Sequence, residues 1–85
     1  METRQLEIKS TKELLKLARE RINVPNSVIK IDYQKDVDLL FILFSDKPSV
    51  RGKMDYENDV IYNYDAENNL VSVEILDLYG IFASI

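Results

Sequence analysis

Cysteine and histidine are both absent from this chain of 85 residues, and glycine and proline occur only twice each. Without cysteine there is no disulfide framework and no thiolate metal site, so the residues leave the redox compartment open. Without histidine the commonest general base near neutral pH and the commonest metal ligand are missing too. With so few glycines as well, the usual nucleophile–base constellations cannot be assembled, and the chain is expected not to be an enzyme. No cofactor is expected either. Long apolar runs are also lacking: the longest, from Leu39 to Phe44, has six residues, against the roughly 20 that a membrane helix needs. The opening "METRQLEIKS" is polar and charged, unlike a secretory signal. These features lead to an expectation of a cytoplasmic protein with no membrane partner.

What is present is 46% hydrophobic and 31% charged residues, the balance of a single small globular domain. Charge is uneven. Residues 1–27 carry six bases and four acids, net +2, whereas residues 28–85 carry five bases and eleven acids, net −6. An acidic body argues against nucleic acid, whose affinity for proteins comes largely from basic side chains. A protein partner with a basic surface is the easier match.

The stretch "STKELLKLARERINVP" has helix signals. Ser10 and Glu13 stand at capping-box spacing, Leu14, Leu15, Ala18 and Ile22 form one apolar stripe, and Pro25 ends the pattern. A helix over about residues 11–22 follows, with Lys12, Lys16 and Arg19 on its polar outer side. From Val28 the period becomes two. "VIKIDY" and "DLLFILF" read as strands, the second apolar on both faces and therefore central. "SDKPSVRGKMDYEN" reads as a loop, interrupted by Pro48 and Gly52, and "DVIYNYDAENNLVSVEIL" as a hairpin of about residues 59–64 and 70–76. One hairpin face is expected to carry Ile61, Val71, Val73 and Ile75. The other is expected to carry Val60, Tyr62, Tyr64 and Leu70, mixed with Ser72 and Glu74. Leu78, Ile81, Phe82 and Ile85 recur at helical intervals behind a potential cap, Asp77, which predicts a short C-terminal helix or apolar segment over 77–85.

The fold expected is α+β: an N-terminal helix, a four-stranded antiparallel β-meander and that C-terminal piece, in one domain. Acidic sets at Asp32, Asp36 and Asp38, at Asp55, Glu57 and Asp59, and at Asp65 and Glu67 imitate fragments of a calcium loop. Val60 stands where such a loop needs glycine and Ala66 where it needs its closing glutamate, so these sets read as solvated turns, with no metal site. Lys47, Arg51 and Lys53 lack the glycine pattern of a phosphate cradle.

The segments "IKIDYQKDVDLLFILFSDKP" and "DVIYNYDAENNLVSVEIL", within about residues 28–76, resemble the DUF2283 family. The resemblance implies a small antiparallel β-core of uncharacterised function, preceded here by a helical extension over residues 1–27, with no catalytic residues to carry over. It also implies an alternative role, since some relatives are thought to be encoded beside toxins: an antitoxin-like protein neutralising a basic toxin. Asn68 stands where the family usually has a turn glycine. Leu39 and Leu43 flank Phe41 where relatives often carry Ala and Arg. The helical stripe is expected to roof Leu39, Phe41 and Leu43, unless a second copy does so. The leading expectation is therefore a protein-interaction module that forms a homodimer. Its candidate surface is Leu39, Phe41, Leu43, Tyr62, Tyr64, Leu78, Ile81 and Phe82.

Overall fold

A computed structural model describes residues 10–80. Helix α1 (Thr11–Arg19) precedes five strands: β1 (Lys30–Gln34), β2 (Leu39–Leu43), β3 (Arg51–Asp55), β4 (Val60–Tyr64) and β5 (Leu70–Ile75). They form one sheet in the order β1-β2-β5-β4-β3, with every neighbouring pair antiparallel. The α+β class is as expected. The strand count is five rather than four, and the order is not a simple meander, because β5 lies between β4 and β2.

The additional strand, β3, runs through what reads as a loop. Its sequence, RGKMD, has no apolar face because it is an edge strand, paired only with β4, and its first three residues are exposed. Pairing with β4 holds it there, helped by Arg51 against Tyr64 and Asn68, and that leaves no hydrophobic period to read. Gly52 fits its place: a Cβ at this position would stand 3.2 Å from Asn63 Oδ1 on the facing strand.

Helix α1 begins as its sequence dictates. Ser10 caps it, Oγ accepting from the Glu13 N–H at 3.0 Å. It ends at Arg19, three residues short of the expected Ile22. The Glu20 and Arg21 N–H groups bond to carbonyls three residues back, tightening the last turn. Its buried side chains, Leu14 and Ala18, cluster with Leu40, Ile42 and Phe44 of β2 and the residue after it, with Val60, with Val73 and Ile75 of β5, and with Leu78.

That cluster corrects one expectation. The helix roofs Leu40 and Ile42, both fully buried, and not Leu39, Phe41 and Leu43, which are half-buried and outside the cluster. Strand alternation explains the difference. Leu40 and Ile42 are paired across from Ile75 and Val73, so these four share a face, while Phe41 lies opposite Glu74 and Leu43 opposite Ser72. The hairpin faces need the same correction. Val60 and Tyr62 face with Ile75 and Val73, and Ile61 sits opposite Glu74. Alternation within each strand is readable, but the phase between strands is set by the turn and by a register shift at Asn63 and Tyr64.

Four non-glycine residues have positive φ: Asp38 (53°), Asp59 (56°), Asn68 (68°) and Asp77 (52°). All are the Asp/Asn types that tolerate this region best. In the β4–β5 turn, Asp65 Oδ1 accepts from the N–H groups of Glu67 and Asn69, each at 2.9 Å. These bonds, chiefly the one from Asn69, hold the Asp65 carboxyl below its usual pKa. After β5, residues 77–80 form a turn closed by the Gly80 N–H on the Asp77 carbonyl at 3.0 Å. No helix begins at Asp77, and the rest of the expected C-terminal helix, with Ile81 and Phe82, lies outside the described residues. No helix among those described is long and apolar enough to cross a membrane.

The two faces of β2 should differ sharply in energy. Leu40→Ala is expected to cost about 2–5 kcal/mol, the range for truncating a buried leucine, and Leu39→Ala well under half of that. Urea unfolding of the two variants measures the difference; equal losses would place the roof wrongly.

Candidate functional site

Three polar or aromatic arrangements stand out from the apolar core. The first centres on Asp38, which is fully buried in the β1–β2 turn. Its Oδ1 accepts from the Tyr33 hydroxyl at 2.6 Å, its Oδ2 from the Tyr79 N–H at 3.0 Å, and its carbonyl from the Leu78 N–H at 3.0 Å. The Tyr33 and Tyr79 rings meet edge to face, centroids 5.6 Å apart. The Tyr79 hydroxyl continues the chain to Glu13 Oε2 at 2.7 Å, so the carboxylate three residues after the cap is turned towards the far end of the chain. Beside this network, Arg21 lays its guanidinium on the carbonyls of Asn58 and Leu76, both at 3.0 Å, and of Asp77 at 2.5 Å. Together these groups tie α1, the β1–β2 turn and the segment after β5 into one unit.

The network holds both of its phenols in the neutral form. Burial, reinforced by the hydrogen bond to Asp38, raises the Tyr33 phenol pKa well above its ordinary value. Burial and the bond to Glu13 push Tyr79 up to about 12. A phenol held away from ionisation is a poor proton donor or acceptor near neutral pH. Every fully buried side-chain nitrogen and oxygen among the described residues has a partner.

The second arrangement is the sheet face opposite α1. Leu39, Phe41 and Leu43 run along β2, with Ile61 of β4 and Met54 of β3 on the same face. Asp32 and Glu74 lie directly across from Phe41 on either side, and Lys30 lies across from Leu43. Asn63 donates its amide to Ser72 Oγ at 3.0 Å and Glu74 Oε2 at 3.1 Å, a polar row that separates the β2 ridge from Ile61. The third is a groove at the β3–β4 end of the face that α1 roofs, lined by Lys53, Met54, Asp55, Tyr56, Tyr62 and Tyr64.

The candidate surface residues therefore separate. Leu39, Phe41 and Leu43 stay together on the outer face. Tyr62 and Tyr64 stand on the opposite face, Tyr62 packed against the core. Leu78 is buried in the core cluster, and Ile81 and Phe82 lie outside the described residues. The acidic sets do not converge: among the described residues no group of three His, Cys, Asp or Glu side chains could hold a metal ion. Asp55 instead caps its own turn, accepting from the N–H groups of Glu57 at 3.1 Å and Asn58 at 3.3 Å and from the Asn58 amide at 2.9 Å. Sequence reasoning missed Arg21 and Asp38. The turn-prone Asp38 was visible, but its burial depends on residues 40 positions away.

The raised phenols predict an alkaline limit. The fold holds Tyr33 and Tyr79 neutral, so their contribution is complete below about pH 10, the ordinary phenol range. It is lost as pH climbs through the raised folded-state values, because the unfolded chain releases those protons first. Denaturation midpoints should fall over that interval in the native chain and fall less in Tyr33→Phe/Tyr79→Phe. Identical slopes would overturn the assignment.

No match was found among curated proteins, and none among solved structures. The family model described as "Protein of unknown function (DUF2283)" matches residues 30–78, from the start of β1 to the buried Leu78, and so takes in all five strands. The chain belongs to the DUF2283 family.

Proposed function

We propose that the chain is a protein-interaction module that self-associates through the outer sheet face, with no catalytic role. The observation that carries this reading is the ridge of Leu39, Phe41 and Leu43 on a strand flanked by β1 and β5, on the side away from α1. A ridge of three large apolar side chains in an acidic chain is costly to leave in water, at about 1.5–3 kcal/mol per leucine-sized group fully buried.

The register supplies a reason for a second copy to be the occupant. Take two sheets stacked face to face about a twofold axis that runs across the strands between Phe41 and Leu43. This places Phe41 of each copy over Leu43 of the other. It also places Lys30, level with Leu43, over the partner's Asp32, level with Phe41. The face is thus self-complementary in both charge and apolarity, as a twofold interface requires. A second reading rests on the carboxylates on both sides of Phe41: a separate basic protein takes the same ridge, as it would with an antitoxin-like partner.

Sedimentation equilibrium tests the first reading. The native chain should dimerise, and Phe41→Asp should be monomeric with its circular dichroism unchanged. Asp32→Lys should weaken the dimer by about tenfold, since it sets like charges together twice. The swap Lys30→Asp/Asp32→Lys should restore it. A native chain that stays monomeric at all accessible concentrations overturns self-association. If that monomer binds a basic protein and Phe41→Asp does not, the second reading stands in its place.

A further inference from the structure

The groove between β3 and β4 is not used by the reading above, and it lies on the other face of the sheet. Three tyrosines surround it. Tyr62 and Tyr64 are half-buried on β4, and Tyr56, just after β3, is 82% exposed. On β3, directly across from the two β4 tyrosines, stand two cations: Lys53 opposite Tyr62 and Arg51 opposite Tyr64. Both are exposed, so the roof formed by α1 stops short of them. The Arg51 guanidinium lies 5.0 Å from the centre of the Tyr64 ring and also hydrogen-bonds Asn68 Oδ1, which holds it in place. Lys53 makes no ion pair within 4 Å among the described residues, although, after the hydrogen bonds from Asn58 and Glu57, its charge helps hold the nearby Asp55 carboxyl below its usual pKa. The one carboxylate in the lining, Asp55, is turned into its own cap by three hydrogen bonds.

We propose that this groove binds a small planar aromatic anion: a heteroaromatic ring carrying a single phosphate, of mononucleotide size. The tyrosine rings offer stacking faces, which are worth most to a flat ring and tolerate different ones. Lys53 from the lining and Arg51 from beside it supply the positive charge for one anionic group, Arg51 with the guanidinium N–H groups left over from its bond to Asn68. The volume, about 330 Å³, lies at the low end of small-molecule sites, which run from about 300 to 1,000 Å³. Charge sets the upper limit on the ligand. Residues 28–85 are net −6, so two cations can neutralise one phosphate but the body repels a polyanionic strand.

The probe is adenosine monophosphate, titrated into the full chain and followed by amide and tyrosine-ring NMR shifts. Shifts should saturate and be confined to residues around Tyr56, Tyr62 and Tyr64. Tyr56→Ala and Lys53→Ala, both at exposed positions that leave the core intact, should each weaken binding about fivefold or more. Phe41→Asp, on the opposite face, should leave the affinity unchanged, which separates failure of this site from failure of the interaction surface. Adenosine alone and inorganic phosphate alone should each bind more weakly than the nucleotide. The proposal is overturned by any of four results. These are no saturation, shifts that map elsewhere, variants that bind like the native chain, or phosphate binding as well as the nucleotide. A single-stranded oligonucleotide binding more tightly than the mononucleotide would also overturn it, in favour of a strand.

Discussion

Everything in this small fold depends on which parity of strand β2 is buried. Leu40 and Ile42, fully buried, form the floor on which Leu14 and Ala18 of the helix sit, and Val73 and Ile75 complete that floor from β5. Because the side-chain period in a strand is two, this choice puts Leu39, Phe41 and Leu43 on the other side with no freedom left. Ala18 matters here for its size. Fully buried, it lets the helix come close to the sheet, and a larger residue at that position would have to lift the helix off the floor.

Apolar packing alone is a weak hold on a nine-residue helix, which would not be stable by itself in water. A chain of this size also buries a smaller share of its surface than a larger domain does. The polar anchors supply the missing definition. Arg21 reaches carbonyls 37 to 57 positions away, and Asp38 takes a phenol from β1 and a backbone N–H from beyond β5. Half-buried Arg21 and fully buried Asp38 each bond several partners, and at Asp38 the loss of one leaves a buried polar group unsatisfied, which is costly. The Tyr33–Asp38–Tyr79 network therefore fixes where the helix and the chain end meet. The two most strongly raised phenols, Tyr33 and Tyr79, lie in this network.

Much of this was legible in the sequence, where the signal was local. The cap at Ser10, the apolar stripe of α1, the alternation of β1, β4 and β5, the interior, though not middle, place of β2 and the left-handed Asn68 can each be read from neighbouring residues. What was not legible depended on distant partners. β3 is a strand only because β4 lies beside it, and its exposed Arg51, Gly52 and Lys53 carry no burial pattern. Cross-strand phase depends on a register shift near Tyr64 that no alternation reveals. For the candidate sites, the apolar ridge was visible as residues, but its face was not. Tyr62 and Tyr64 looked like part of one surface with it until the sheet placed them on opposite sides.

That separation bears on what an interaction surface here must be. A helical roof over Leu39, Phe41 and Leu43 would have made their apolar character a matter of internal packing. With the roof on the other face, the ridge has no such account within the described residues, although its polar neighbours are hydrogen-bonded to one another: Asn63 donates to Ser72 and Glu74. The result is a face on which the apolar ridge of β2 has Lys30 and Asp32 on one side and the hydrogen-bonded row of Asn63, Ser72 and Glu74 on the other, the mixed composition on which the proposed interface rests. The tyrosine groove has the reverse composition, aromatic walls with cations at hand, and it opens on the side where the helix stops. The two proposed surfaces thus lie on opposite faces of one sheet and differ in chemistry.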